Sequence, residues 1–158
     1  KEITRNLNRT GVSMTAYRKS FSHNLYGKYD AVAKKTLISH LIGEGHDLVD
    51  STESYDADVV TQKDGVKYYS EAEVKTAWKD EWPSHWEEIR IPERKKKLLS
   101  KHDNLKFYIF SDTMKQCWCI DSSLLTDDLL KEATGRNIFK GEQFYHVPYT
   151  QAKLINVA

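Results

Sequence analysis

The first pattern along the chain is helical. Apolar residues recur at every fourth position between residues 26 and 42, namely Tyr29, Ala33, Leu37 and Leu41. This spacing places them on one face of an amphipathic helix. Gly43 follows directly, and glycine commonly ends a helix. We therefore predict a helix over residues 26–42.

Two strand-like stretches come next, with a turn signal between them. Residues 56–62 and 66–75 are rich in β-branched and aromatic side chains, and Asp64-Gly65 is a dipeptide typical of tight hairpin turns. The pattern therefore predicts a β-hairpin. Because residues two positions apart share a face of a strand, its second arm is expected to be charged on one side and apolar on the other.

Helix and strand signals continue through the rest of the chain. The further predicted elements are a short strand at Leu48-Val49, a helix from Pro92 to about Lys101, strands at 105–111 and 115–121, a short helix within 126–133, and an edge strand or docking arm at 142–148. This order predicts an α/β chain of the α+β mixed-sheet kind, with a sheet flanked by helices. We expect a single domain over 1–158, made of a basic N-terminal segment (1–25), a core (26–121) and a C-terminal elaboration (122–158).

Composition narrows the class of protein. The chain has no run of the roughly 18 apolar residues that a membrane span needs, and its N-terminus lacks the apolar stretch of a secretory signal. Its two cysteines, Cys117 and Cys119, are too few for a disulfide framework or a four-cysteine zinc site. We therefore expect a cytoplasmic protein with no membrane partner.

The charges nearly balance but are unevenly distributed. The chain has 24 Lys and Arg against 23 Asp and Glu. Residues 1–35 hold eight basic and two acidic residues, residues 36–75 hold three and nine, and residues 93–106 hold six and two. If the acidic block contains a metal site, the basic blocks beside it can hold phosphates. Otherwise these runs are solvated faces.

The acidic block places several carboxylates on the predicted hairpin. Glu71, Glu73 and Lys75 share one face of the second arm. Asp56 and Asp58 share a side of the first arm, and the turn would bring them close to Glu73. Carboxylates at that separation repel, and a hard divalent cation such as Mg²⁺ or Mn²⁺ relieves the repulsion. The alternative is an exposed face of an edge strand that carries charges for solubility.

This arrangement resembles the Asp…Glu-x-Lys signature of the PD-(D/E)XK nuclease superfamily. The matching residues are Asp58-Val59-Val60, Gly65 in the turn, and Glu73-Val74-Lys75. The resemblance covers residues 26–121 and implies a restriction-endonuclease-like core of order αβββαβ, with an extra strand and C-terminal helical or edge elements. It implies that Asp58 and Glu73 are catalytic metal ligands, helped by the Val74 backbone carbonyl. Lys75 would be the catalytic lysine.

Three further acids are candidates for the metal under this resemblance. Asp30 lies where many members carry an acid on the first helix, although Glu is more usual there. Ala57 stands in place of the family's proline, which leaves Asp56 as a competitor of Asp58. Glu71 is an additional acid on the face of Glu73, where it would bind a second metal or steer the first.

The resemblance implies a Mg²⁺- or Mn²⁺-dependent endonuclease that hydrolyses phosphodiester bonds in DNA. The basic blocks would then contact backbone phosphates without reading sequence. The residues concerned are Lys34, Lys35, Arg94, Lys95, Lys96 and Lys97, and their alternative role is to form exposed helix faces. Cutting both strands usually needs two active sites, which makes a homodimer a candidate assembly. The small size and the resemblance suggest a phage or mobile-element origin.

Two other functions are open on the sequence. One is a nucleic-acid-binding or structural module on the same fold that does not cut. The other is a metal-dependent hydrolase of small phosphorylated compounds, which is disfavoured because the chain has no Gly-rich phosphate loop.

The tryptophans are expected to pack rather than to bind. Trp78, Trp82 and Trp86 recur at helical spacing, but Pro83 would break a helix between them. Stacking on unpaired bases is their second candidate role.

Overall fold

The computed structural model describes residues 16–49, 57–133, 138 and 140–157, with side chains from residue 28 onward. The chain divides into two compact units, Lys1–Val32 and Ala33–Ala158. Helix α1 (Ala16–Gly43) contributes residues to both. The predicted helix over residues 26–42 is therefore confirmed, and it begins earlier than the sequence pattern indicated.

The second unit contains the strands of the described chain. Their bounds are β1 Asp47–Leu48, β2 Val59–Lys63, β3 Val66–Lys75, β4 Glu88–Pro92, β5 Leu105–Ser111, β6 Gln116–Asp121, β7 Leu130–Glu132, β8 Gln143–Pro148 and β9 Lys153–Asn156. A short helix, α2 (Lys96–Lys101), follows the 3₁₀ turn Glu93–Lys95.

The strands form two sheets. One is a six-stranded sheet of order β1-β2-β3-β5-β6-β9, and the other is a three-stranded sheet of order β4-β8-β7. Strands β3 and β5 run parallel, and the other neighbours are antiparallel. The crossover from β3 to β5 contains β4 and α2. A mixed α+β architecture with a mixed sheet is thus confirmed.

The predicted hairpin is confirmed as β2 and β3. Asp64 has φ of 52° and Gly65 has φ of 78°, the left-handed conformation at both central positions of a two-residue turn. Lys63 therefore pairs with Val66, and Val59 pairs with Ser70. This register fixes which residues of the first arm lie opposite the acids of the second.

The two faces of the six-stranded sheet are covered differently. Ala33, Leu37 and Leu41 of α1 pack on one face against Ala72 and the buried side chains of neighbouring strands. The other face packs on the three-stranded sheet through a second core, which includes Ile89, Ile91, Phe107, Trp118, Tyr145 and Val147. The sheet was expected to be flanked by helices; helix α1 covers one face, and a second sheet covers the other.

Two local predictions were wrong, and one strand was missed. The helix within 126–133 was wrong: the 3₁₀ turn Asp127–Leu129 leads into β7, where pairing of Leu130 with Tyr145 overrides helix propensity. Strand β8 at residues 143–148 lies in the centre of its sheet, not at an edge. Strand β4 was not predicted at all. Its last residue, Pro92, is also the N-cap of the 3₁₀ turn that leads into α2, so the helical segment ending at Lys101 lies where it was predicted.

The other predictions on strands and tryptophans hold. Strands β5 and β6 lie where the pattern placed them. Trp78 is completely buried, and Trp82 packs edge-on against both Trp78 and Trp86. Within the described chain, no helix combines the length and apolar character that crossing a membrane requires.

Candidate active site

Strand β3 carries the predicted charged row on the face toward the three-stranded sheet. Glu71 pairs with Phe107 and Glu73 with Ile109, and both partners belong to the core between the sheets. Ala72 and Val74 face the opposite core, under α1. The alternation of β3 therefore directs Glu71, Glu73 and Lys75 to one side, as predicted.

Asp58 lies just before β2 and is bound to β3 by two hydrogen bonds. The Asp58 backbone N–H donates to Oε2 of Glu71 at 2.8 Å. The Ala72 backbone N–H donates to Oδ2 of Asp58 at 3.0 Å. The sequence placed Asp58 beside Glu73, whereas these contacts join it to Glu71 and Ala72.

A lysine from the crossover lies between two of the acids. The Nζ of Lys95 is 2.7 Å from Oε1 of Glu71 and 3.9 Å from Oε2 of Glu73. On the other side, Nζ of Lys34 is 3.5 Å from Oδ1 of Asp58. Three carboxylates against two ammonium groups leave one formal negative charge. We call Asp58, Glu71, Glu73, Lys34 and Lys95 the carboxylate cluster.

The pKa directions in the cluster reflect this excess of acid. Burial raises the pKa of Glu71; the Lys95 ammonium opposes this, and the nearby Asp58 carboxylate adds to it. Burial lowers the pKa of Lys95, but attraction to the Glu73 and Glu71 carboxylates outweighs it, and the net pKa is raised. The Lys95 ammonium is therefore stabilised by several carboxylates, whereas the Glu71 carboxylate is repelled by that of Asp58.

Lys75 lies outside this ion-pair network and next to a cleft. Its Nζ is 4.9 Å from the ring centroid of Trp86. Burial lowers the pKa of Lys75, and the guanidinium of Arg90 lowers it further. Arg90 comes from β4, which the sequence did not reveal as a strand.

Some of the predicted phosphate-binding residues lie close to acids, and others are exposed. Arg94 lies 3.8 Å from Glu142, and Lys96 lies 3.2 Å from Asp127. Lys35 and Lys97 are exposed. Lys95, predicted to hold phosphate, is instead engaged with carboxylates in this structure. A cavity of about 420 Å³ lies beside it, lined by Glu71, Arg94, Lys95, Lys97, Leu98 and Lys101.

The metal-binding roles of two further predicted acids, Asp30 and Asp56, stay predictions. Asp30 is an exposed residue of α1 and belongs to the Lys1–Val32 unit. Asp56 lies outside the described residues.

Sequence reasoning also did not single out Lys95 from its neighbours, because nothing in a run of four basic residues marks one of them as an acid's partner.

The carboxylate oxygens of the cluster fit Mg²⁺ or Mn²⁺ bound by few protein ligands. No three His, Cys, Asp or Glu side chains among the described residues are grouped as a complete metal site. Mg²⁺, however, is usually held by one or two carboxylates, with waters and substrate phosphates as the other ligands. Glu71 and Glu73 already flank one cation, the ammonium of Lys95.

Comparisons with known proteins add no relative to this description. The chain matches no family model, no curated protein and no solved structure. The interpretation of the site therefore depends on the residues and geometry given above.

Proposed function

We propose that this chain is a metal-dependent nuclease that hydrolyses phosphodiester bonds in DNA. The observation that carries the proposal is that Glu71 and Glu73 of β3 flank the largely buried ammonium group of Lys95, while Asp58 is joined to Glu71 through its backbone N–H. Two carboxylates of the cluster thus already flank a cation, and the cluster has one negative charge in excess. A hard divalent cation suits such a site.

In this proposal Asp58 and Glu73 hold Mg²⁺ or Mn²⁺, and Glu71 holds the Asp58 backbone in place. The bound metal would supply Lewis-acid activation of the phosphate and a water of lowered pKa. Lys75 is two residues beyond Glu73 on the same face, about 7 Å along the strand. Its half-buried ammonium can orient the attacking water and stabilise charge that develops on the phosphate.

The order of elements supports the same reading. Helix α1 is followed by the antiparallel strands β1, β2 and β3, a crossover that contains α2, and the parallel strand β5. This order is compatible with a restriction-endonuclease-like core into which β4 has been inserted. Exposed basic residues near the crossover, such as Lys97, would add sequence-independent phosphate contacts.

The assembly and setting belong to the proposal as well. Cutting both strands would be served by a homodimer with two such sites. The free thiols of Cys117 and Cys119 agree with an intracellular location.

A plasmid-nicking assay with Mg²⁺ or Mn²⁺ tests the activity. We expect cutting by the unaltered chain, none in excess chelator, and at least a hundredfold loss in Asp58→Asn and Glu73→Gln. Asp64→Asn is the matched control, because Asp64 is exposed at the hairpin turn and Asn also tolerates its positive φ. Cutting that persists in Glu73→Gln, or that needs no metal, would overturn the proposal.

One observation favours a second function, a nucleic-acid-binding or structural module that does not cut. Lys95 and Lys34 neutralise part of the cluster without a metal, and the Asp58 and Glu71 carboxylates accept backbone N–H groups. The acids would then serve to join β2 to β3. This alternative predicts that Mg²⁺ and Mn²⁺ leave both the melting temperature and DNA affinity unchanged.

A further inference from the structure

A cleft next to the carboxylate cluster has the dimensions of a ligand site. It lies between the end of β3 and β4 and has a volume of about 490 Å³. Small-molecule sites have volumes of roughly 300–1,000 Å³. The residues that line it are Lys75, His85, Trp86, Glu87, Glu88 and Arg90.

In the part of the chain that it describes, the structure shows no direct ion pair for the two strong cations of the cleft, Lys75 and Arg90. Lys75 is half-buried, and Arg90 is exposed on the edge strand β4. Among the described residues, neither side chain forms an ion pair or a hydrogen bond. Two like charges on one cleft repel, and a bound anion would relieve that repulsion.

The acids of the cleft offset this repulsion only in part, since Glu88 attracts Arg90 without pairing directly with it. Glu88 accepts a hydrogen bond at 3.0 Å from Nδ1 of His146, a buried residue of the neighbouring strand β8. Glu87 is exposed. Because the direct partner of Glu88 is His146, the cationic groups of Lys75 and Arg90 can still contact a bound anion.

The remaining wall is aromatic. The rings of His85 and Trp86 lie 6.1 Å apart and nearly edge to face. Trp86 packs edge-on against Trp82, whose indole N–H also donates a hydrogen bond to the Trp86 carbonyl at 2.8 Å. Flat rings beside cations match the chemistry of a nucleotide, which has a base next to a phosphate.

We propose that this cleft is a nucleotide subsite for single-stranded DNA, in which Lys75 and Arg90 bind a phosphate and the rings of His85 and Trp86 contact the attached nucleoside. An unpaired strand is required, because a paired base cannot present its face to a protein ring. Binding at the cleft needs no cleavage. Only its role of placing a strand beside Glu73 rests on the proposed function.

Calorimetric titration of the full chain in excess chelator tests the subsite. The probes are hexathymidylate, thymidine monophosphate, inorganic phosphate, thymidine, and a phosphoserine peptide. We expect hexathymidylate to bind tightest, thymidine monophosphate to bind more tightly than phosphate or thymidine, and salt to weaken the strand's binding. A phosphopeptide that binds as tightly as hexathymidylate would overturn the assignment to a nucleotide.

Variants locate the binding. Arg90→Gln and Lys75→Met should each raise the Kd of thymidine monophosphate about tenfold or more, the loss expected for a charge-assisted contact. Lys153→Met removes the same charge from the edge strand β9, and it should leave the Kd unchanged. Equal affinity in Arg90→Gln and the unaltered chain, both folded by circular dichroism, would refute the subsite.

Glu73→Gln separates the two proposals. It should abolish metal-dependent cutting and retain nucleotide binding. If the unaltered chain binds nucleotide but does not cut DNA, the nuclease proposal alone fails. If it cuts DNA but does not bind nucleotide, the subsite alone fails.

Discussion

The Nζ of Lys95 lies 2.7 Å from Oε1 of Glu71, with the two side chains only 20% and 5% exposed. The pair joins the crossover segment to the centre of β3, on the face that carries the candidate site. Ion pairs removed from water in this way are costly to break, because the remaining charge has no solvent to stabilise it.

Lys95→Met should therefore destabilise the fold at pH 7 by about 3 kcal/mol, the range found when one partner of a buried pair is removed. The reason is that Glu71 would stay buried beside Asp58 without its ammonium. Urea unfolding measures the loss. Lys97→Met, an exposed lysine on the neighbouring helix α2, is the control and should change stability by about 0.5 kcal/mol or less.

The destabilisation caused by Lys95→Met should become smaller as the pH falls. Burial raises the pKa of Glu71 above its usual 4.5, so the native state holds this proton more tightly than the unfolded state. The contribution of Glu71 to stability therefore improves as pH falls toward 4.5. Removing Lys95 raises that pKa further, and protonation then relieves the unpaired charge. A deficit that is equal at neutral and acidic pH would contradict this account.

Lys95→Met should also strengthen metal binding if the metal site is the one proposed. The Lys95 ammonium lies 3.9 Å from the carboxylate of Glu73, a ligand in the proposed site, and would compete with a divalent cation there. We expect the Kd of Mn²⁺, measured by calorimetry, to fall about tenfold, or about 1.4 kcal/mol. Lys97→Met should leave the Kd unchanged, and Asp58→Asn should weaken binding. Unchanged Mn²⁺ affinity in Lys95→Met would show that the ammonium does not compete with the metal.

The hairpin could be predicted because its signals are local. Asp64-Gly65 has the turn chemistry, and alternation along β3 decides which face carries Glu71 and Glu73. By contrast, β4 offers only two apolar positions, Ile89 and Ile91, and its strand state depends on pairing with β8 far along the chain. Short segments of this kind take their conformation from tertiary partners.

The sequence singled out the acids of the candidate site and Lys75, but it revealed neither the acid partners of Lys95 nor the position of Arg90. Asp58 and the acids of β3 are held together by the hairpin register, which the sequence encodes locally. Lys95 and Arg90 reach the site through the crossover, whose path depends on how the second sheet packs. No spacing along the chain records that packing, so Lys95 was interpreted as a phosphate contact.

Gly65→Ala should destabilise the hairpin by about 1 kcal/mol. Gly65 has φ of 78°, a conformation that costs residues with a Cβ roughly 1–2 kcal/mol. Gly43→Ala is the matched control, because a Cβ there meets nothing within 4 Å at the end of α1. Urea unfolding of both variants measures the difference. Equal stability of the two would show that the turn does not require the left-handed glycine.

Glu88→Gln should make the stability of the fold depend less steeply on pH under acidic conditions. The hydrogen bond from His146 lowers the pKa of Glu88, although burial opposes it. The Nδ1 of His146 faces the Glu88 carboxylate, and its Nε2 faces the Lys131 carbonyl. A lowered carboxyl pKa contributes stability above the usual 4.5 that is lost as pH falls through the lowered value. Urea midpoints measured from about pH 5 to about pH 3 should therefore change less steeply in Glu88→Gln than in Glu87→Gln, its exposed neighbour. Parallel curves for the two variants would mean that the His146 contact does not contribute to acid stability, and Glu88 would then be open to compete for the cations of the neighbouring cleft.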